Sequence, residues 1–277
     1  MEWSKKVAVI SGASGVLLGA FAKELASKGT KIAILSRKIE NAQPVIDEIT
    51  AAGGTAKAYK CDVLDKESLT KAEEQIFADF GEYHILINGA GGNMDKANTT
   101  NEVYSDADVT NPDVRSFFDL DPEVIQTVFS LNVMGAFITT QVFAKRMVNV
   151  KGATIINVSS MAAEKSLTKV LGYSAAKSAL DNLTKWLAVH FANKGLRVNA
   201  VAPGFFVTNQ NRNLLKTADG GLTPRSNKII SHTPMGRFGE VSDLFGAFLW
   251  LCDEDASGFV TGVVVPVDGG FSAYGGV

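Results

Sequence analysis

Val7-Ala8-Val9-Ile10-Ser11-Gly12-Ala13-Ser14-Gly15-Val16-Leu17-Leu18-Gly19 is the stretch whose reading decides the fold. Its first four residues are apolar and mostly β-branched, the pattern of a strand buried on both faces. A glycine-rich turn follows, then a helix through about Lys28 that Gly29 stops. Strand, glycine-rich turn and helix in that order gather backbone N–H groups at a helix N-terminus, an arrangement that holds a pyrophosphate.

The unit recurs downstream. Lys31-Ile32-Ala33-Ile34-Leu35 predicts a second strand, and a helix over about 41–52 ends at Gly53-Gly54. Ala56-Lys57-Ala58-Tyr59-Lys60-Cys61 predicts a third strand that delivers Asp62, a helix spans 66–80, and His84-Ile85-Leu86-Ile87 forms a fourth strand ending in Asn88-Gly89-Ala90-Gly91-Gly92. Strands alternating with helices mean a parallel, doubly wound α/β sheet, which binds ligands at the carboxyl ends of its strands. Gly12, Arg37, Asp62 and Asn88 all fall at such ends. An acid at the tip of the second strand would bind an adenosine ribose and repel a 2′-phosphate. Here Ser36 stands there and Arg37-Lys38 follow, which favours NADP over NAD; basic residues opening a solvated helix are the plain alternative.

The segment 93–121 is polar and reads as a long loop, either functional or a surface excursion. A helix over 122–147 carries Asn132 among apolar neighbours, so its amide is expected to be buried and partnered. Ile155-Ile156-Asn157-Val158-Ser159-Ser160 predicts the fifth strand. A helix over 173–191 opens with Tyr173-Ser174-Ala175-Ala176-Lys177. Residues i and i+4 share a helical face. An ammonium beside the phenol favours the phenolate, so Tyr173 is a candidate acid/base and Lys177 the group expected to lower its pKa. Ser160 sits where it can bond the same substrate oxygen. Alone, this pattern also fits an ordinary pair on an amphipathic helix. Leu196-Arg197-Val198-Asn199-Ala200-Val201 is a sixth strand, 209–232 reads as a polar lid, a helix spans 241–251, and Val263-Val264-Val265-Pro266-Val267 is a seventh strand.

The 277 residues, 46% apolar and 20% charged, read as one domain able to bury a full core. A net charge of -2 gives no electrostatic case for nucleic acid. No apolar run approaches the roughly 20 residues of a membrane span, and the N-terminus lacks a signal-peptide layout. Cys61 and Cys252 are the only cysteines, which suits a reducing, cytoplasmic setting. His84, His190 and His232 are scattered, so neither a hydrolytic triad nor a metal site is expected.

Taken in order, Asn88-Gly89-Ala90-Gly91, Asn132, Ser160, Tyr173 with Lys177, Pro203-Gly204 and Val267-Asp268-Gly269-Gly270 resemble the short-chain dehydrogenase/reductase family across essentially the whole chain. Narrower stretches, among them Asn209-Gln210-Asn211, Asn227-Lys228-Ile229 and Thr233-Pro234-Met235-Gly236-Arg237-Phe238-Gly239-Glu240, are similar to its D-mannonate oxidoreductases (fructuronate reductases). The resemblance implies a single Rossmann-type sheet of about seven strands with helices on both faces. It implies that Asn132, Ser160, Tyr173 and Lys177 are catalytic, with Asn132 fixing a water that links Lys177 to solvent. Gly12, Ser14, Gly15, Arg37, Asp62, Val63, Asn88, Ala90, Gly91, Tyr173, Lys177, Pro203, Gly204, Val207 and Thr208 are then expected around NADP or NAD. One departure stands out. Counted without a gap, Val16 and Leu18 occupy the second and third glycine positions of the family turn, while Gly15 and Gly19 are each displaced by one.

The implied substrate is a sugar acid, D-mannonate oxidised to D-fructuronate and back. Its carboxylate needs a cation or several donors, for which Lys96 and Arg212 are candidates, with Asn93, Asn209 and Asn211 for the hydroxyls. A homotetramer is implied, built on the C-terminal strand and the two long helices. The alternatives are a gluconate- or polyol-type dehydrogenase, a 3-oxoacyl reductase and, in another class, a cofactor-binding regulator without catalysis. The polar lid disfavours an acyl chain, and a sugar-nucleotide epimerase would want a larger C-terminal region.

Overall fold

The computed structural model describes residues 1–208, 215–217 and 220–276. Its centre is a sheet of seven strands: β1 (Val7–Ser11), β2 (Lys31–Ser36), β3 (Ala56–Lys60), β4 (Ile85–Asn88), β5 (Thr154–Val158), β6 (Arg197–Pro203) and β7 (Val264–Val267). They lie in the order β3-β2-β1-β4-β5-β6-β7, and every neighbouring pair is parallel. The first three strands step outward to one edge, and β4 returns to the other side of β1. That reversal opens a crevice at the carboxyl ends of β1 and β4, where Ser11 and Asn88 are register partners.

Alternation along each strand divides the apolar runs between two faces. Val7, Val9, Leu35, Leu86, Ile155 and Val198 face one way. They pack on helices α3 (Lys66–Phe80), α5 (Gly135–Met147) and α6 (Leu171–Phe191) through Leu69, Ile76, Phe143, Met147 and Leu187. Ala8, Ile10, Ile34, Ile87, Ile156 and Val201 face the other way. They meet α1 (Val16–Ser27), α2 (Gln43–Ala51) and the helix Phe245–Cys252 through Phe21, Leu25, Ile49, Phe248 and Leu251. Each such side chain removed from water contributes about 1.5–3 kcal/mol, which is why the strand runs are apolar on both faces.

Three elements differ from the sequence expectation. The helix expected over 122–147 is α4 (Pro122–Phe129), a π-helical turn (Ser130–Met134) and α5 in continuous succession. By length and apolarity this 26-residue helix could cross a membrane, although no apolar run in the sequence suggested one; half of its most apolar window is buried in the protein. The insert 93–121 is not featureless: it folds into three 3-10 turns, Asp95–Ala97, Asp106–Val109 and Phe117–Asp119, the last two closed by Ser105–Asp108 and Ser116–Asp119 capping boxes. Within the expected lid, Pro224–Ser231 is a helix, with Pro224 at its start and the Thr223 side chain accepting from Ser226 N.

Candidate active site

The crevice floor is built by glycine and a hydroxyl. Gly12 has φ +81, and a Cβ there would lie 2.5 Å from the Gly89 carbonyl oxygen. Only glycine both adopts that conformation and lets the β1 and β4 exits touch. Ser11 Oγ ties the same exits: it accepts from Gly89 N at 3.1 Å and Ala90 N at 3.2 Å and donates to Ile87 O at 3.3 Å. Gly15 N–H donates to Gly12 O at 3.0 Å and closes the turn. Helix α1 then starts at Val16 with no side chain capping it, so its first N–H groups face the crevice, the arrangement that takes a phosphate. The turn is shorter than the sequence suggested, since the helix begins three residues before Gly19. Leu18 turns inward and is 5% exposed, whereas Val16 stays 42% exposed at the helix start.

Around the adenosine end, Ser36 Oγ donates to Lys38 O at 2.7 Å and Arg37 is exposed beside it. Asp62 Oδ1 accepts from Leu64 N at 2.9 Å, which fixes its carboxylate at the β3 exit, and Val63 is buried against Gly135. Asn88 does something other than present an amide to the crevice. Its Nδ2 donates to Asn157 Oδ1 at 2.9 Å and to Thr140 Oγ1 at 3.0 Å, while Asn157 Nδ2 donates to Thr184 Oγ1 at 2.8 Å. This buried ladder pins the ends of β4 and β5 to α5 and α6, so the Asn88 side chain is a strut beneath the site. Pro203 ends β6, and Gly204 N–H donates to Val267 O at 2.9 Å; a Cβ at Gly204 would meet Asp268 Cα at 2.6 Å. Val207 and Thr208 follow, half-buried, on the crevice side of that exit.

Four side chains from three elements, α6, the β5 exit and the π turn, converge beyond this floor. Lys177 Nζ donates to Val158 O at 2.8 Å and lies 5.6 Å from the centre of the Tyr173 ring. Ser160, at the β5 exit, accepts from Ala162 N at 3.1 Å and hydrogen-bonds Tyr173. Asn132, at the middle of the π turn, donates from Nδ2 to Gly92 O at 2.7 Å and Val128 O at 2.8 Å, and its Oδ1 accepts from Gly92 N at 3.1 Å. The π turn is what frees the Val128 carbonyl to accept that amide. Gly91 lies between Asn132 and Lys177: a Cβ there would sit 2.6 Å from Asn132 Oδ1 and 3.4 Å from Lys177 Nζ.

The electrostatics correct one expectation. Burial raises the Tyr173 phenol above its ordinary value, and the Ser160 hydrogen bond only partly offsets this. Lys177 does not depress it, because the ammonium is directed at the Val158 carbonyl and burial lowers its own pKa to about 8, with Asp181 pulling it back up. Two further groups escaped the sequence reading. Asp181, one turn beyond Lys177, accepts from Ser159 Oγ; its i+4 spacing from Lys177 was the available signal. Glu102, in the insert, pairs with Lys228 and, at 3.8 Å, with Arg225 of the helix Pro224–Ser231. Of the substrate candidates, Asn93 Nδ2 donates to Asn98 Oδ1 at 2.9 Å and Lys96 is exposed in the first insert turn. Asn209, Asn211 and Arg212 lie outside the described residues. No cluster of metal-ligating side chains occurs among the described residues.

Comparison with known proteins agrees with this geometry. A family model described as enoyl-(acyl carrier protein) reductase matches residues 18–272. UxuB, an oxidoreductase of uncharacterised reaction from Bacillus subtilis (strain 168), is 56% identical over 272 residues, 98% of this chain and 96% of its own. The 7alpha-hydroxysteroid dehydrogenase of Escherichia coli (strain K12) is 30% identical over 96% of this chain and 93% of its own. A crystal structure from Haemophilus influenza, provisionally described as a D-mannonate oxidoreductase with bound NAD, superposes with a TM-score of 0.95 at 53% identity, covering 99% of this chain and 97% of that one.

Proposed function

The chain belongs to the short-chain dehydrogenase/reductase family, and from that premise we propose that it interconverts D-mannonate and D-fructuronate, using NAD or NADP. It is a dinucleotide-dependent dehydrogenase acting on CH–OH groups. The observation that carries the reaction class is the convergence of Ser160, Tyr173, Lys177 and Asn132 beside a crevice in which Gly12 lets the β1 and β4 exits meet and Gly91 lets Asn132 approach Lys177.

When bound, the nicotinamide supplies and takes back the hydride. The chain supplies placement and protons. Ser160 Oγ polarises the substrate carbonyl. Tyr173, held protonated by burial, gives its phenolic proton to the forming alkoxide. Lys177, held by Val158 O, would present its ammonium to the ribose of the bound dinucleotide. Asn132 holds Gly92 and keeps the β4 exit at the distance Lys177 needs. The Gly12 to Gly15 turn and the uncapped start of α1 would hold the pyrophosphate, and Asp62 and Val63 would line the adenine side.

The sugar-acid reading is supported by the likeness to the D-mannonate oxidoreductase structure at 53% identity and by the polar character of 93–121. In this reading Asn93 and Lys96 contribute to the substrate side, as do Asn209 and Arg212. For the cofactor, Arg37 supports NADP and the NAD in that related structure supports NAD. Steady-state oxidation of D-mannonate, run separately with NAD and NADP and with D-gluconate as control, tests both. Turnover of mannonate alone is expected; turnover of neither acid would overturn the substrate while leaving the reaction class intact.

A further inference from the structure

Tyr173, Lys177 and Asp181 follow one another at intervals of four on α6, so they share one face of the helix. The strand beside them answers residue for residue. Val158 O receives Lys177 Nζ at 2.8 Å, Ser159 Oγ donates to Asp181, and Ser160 hydrogen-bonds Tyr173. Three consecutive residues at the β5 exit are thus clipped to three successive turns of α6. Ser159 is 2% exposed and its N–H is spent on Val201 O at 2.8 Å, so its hydroxyl has little freedom to seek another partner.

We propose that Asp181 is a positioning residue for the reaction: it locks Ser159, and thereby the neighbouring Ser160, against α6, and it presents a carboxylate to Lys177 from the turn behind. The charged groups around it are Lys177 and Lys185 on α6 and Glu164 on the turn after β5. Lys177 in turn faces Tyr173 and Asp181 on its own helix, the Val158 carbonyl at the β5 exit, and the uncharged Asn132 and Gly91 from the π turn and the β4 exit. Removing the Asp181 charge withdraws support from the Lys177 ammonium, which then loses its proton at lower pH.

The inference rests on Ser160, Tyr173 and Lys177 being the reacting set, and the test separates the two. Reduction of D-fructuronate is followed against pH in the wild type, Asp181→Asn, Asp181→Glu, Ser159→Ala and, as control, Tyr173→Phe. Asp181→Asn keeps an acceptor for Ser159, so kcat at the optimum stays near wild type while the alkaline limb moves down by about half a pH unit. Asp181→Glu restores the limb. Ser159→Ala lowers kcat by about tenfold or more with KM little changed, because Ser160 loses its brace. An unmoved limb in Asp181→Asn, or, should that variant fail to fold, unchanged kcat in Ser159→Ala, overturns the proposal. An active Tyr173→Phe overturns the reacting set instead. If wild type does not reduce fructuronate, the same limb is read in NADH affinity by calorimetry, from neutral to alkaline pH.

Discussion

Leu18 fills the space that a side chain at Gly89 would need: a Cβ built on Gly89 falls within the Leu18 Cδ1 atom. The leucine that replaces a turn glycine is therefore accommodated by a glycine on the neighbouring strand exit. Gly89→Ala should destabilise the protein by about 1–3 kcal/mol through overpacking. Leu18→Ala combined with it should recover part of that loss, so the double variant is less destabilised than the sum of the two. Denaturant unfolding of the four proteins checks this, and simple additivity would refute the steric coupling.

Gly91 offers a sharper test of the site. Its missing Cβ leaves room for Asn132 Oδ1 and Lys177 Nζ. Gly91→Ala should push these apart and cost about 10- to 100-fold in kcat, with dinucleotide affinity also weakened. Full turnover in a folded Gly91→Ala protein would mean the contact is incidental.

Tyr173→Phe should keep the fold, since the ring packs unchanged, and lose about 10²–10⁴-fold in turnover. The pH dependence has a definite sign. Lys177 is held near 8, below its ordinary value, by burial, and reduction needs its ammonium. Reductive kcat/KM should therefore fall as pH rises through about 8, and a profile flat well beyond that point would remove Lys177 from the role.

Arg37 decides cofactor choice if its exposed guanidinium reaches a 2′-phosphate. A charge-assisted hydrogen bond is worth about 1.5–3 kcal/mol, so Arg37→Ala should lower the NADP to NAD ratio of kcat/KM by about tenfold or more. An unchanged ratio would leave Arg37 a solvated surface residue.

The insert leaves the sheet after β4 and the helix Pro224–Ser231 comes after β6, both from the crevice side. Glu102 joins them through Lys228 and Arg225, and these cations hold its carboxyl below the usual range, Lys228 most strongly. Glu102→Gln should raise KM for the sugar acid by up to about fivefold, in keeping with an exposed pair, and high salt should erase the difference between variant and wild type. A KM that does not move at low salt would show that the two segments close independently.

What was legible in the sequence was local. Strand runs such as Val7–Ser11, the turn at Gly12 and the Tyr173–Lys177 spacing each announce themselves within a few residues, and the seven-stranded sheet follows from their alternation. The rest depends on partners distant in the chain. Asn132 bonds Gly92 across 40 positions and Glu102 bonds Lys228 across 126, and no propensity encodes either. Asn88 shows the same dependence: that its side-chain amide braces β4 against Asn157 and Thr140 is visible only once those distant neighbours are in view. The Tyr173 phenol was assigned the wrong direction because helical spacing reports adjacency, while burial, which dominates there, is a property of the whole packed site.

The π turn at Ser130–Met134 has a consequence for the helix as a whole. Each residue advances an α-helix by about 100°, so one surplus residue resets the phase between the halves on either side of it. Trimming one residue from this turn to make the helix regular would swing Asn132 off Gly92 or rotate α5 off the sheet. The chain can keep a regular helix or this amide in place, and its irregular period records which of the two it holds.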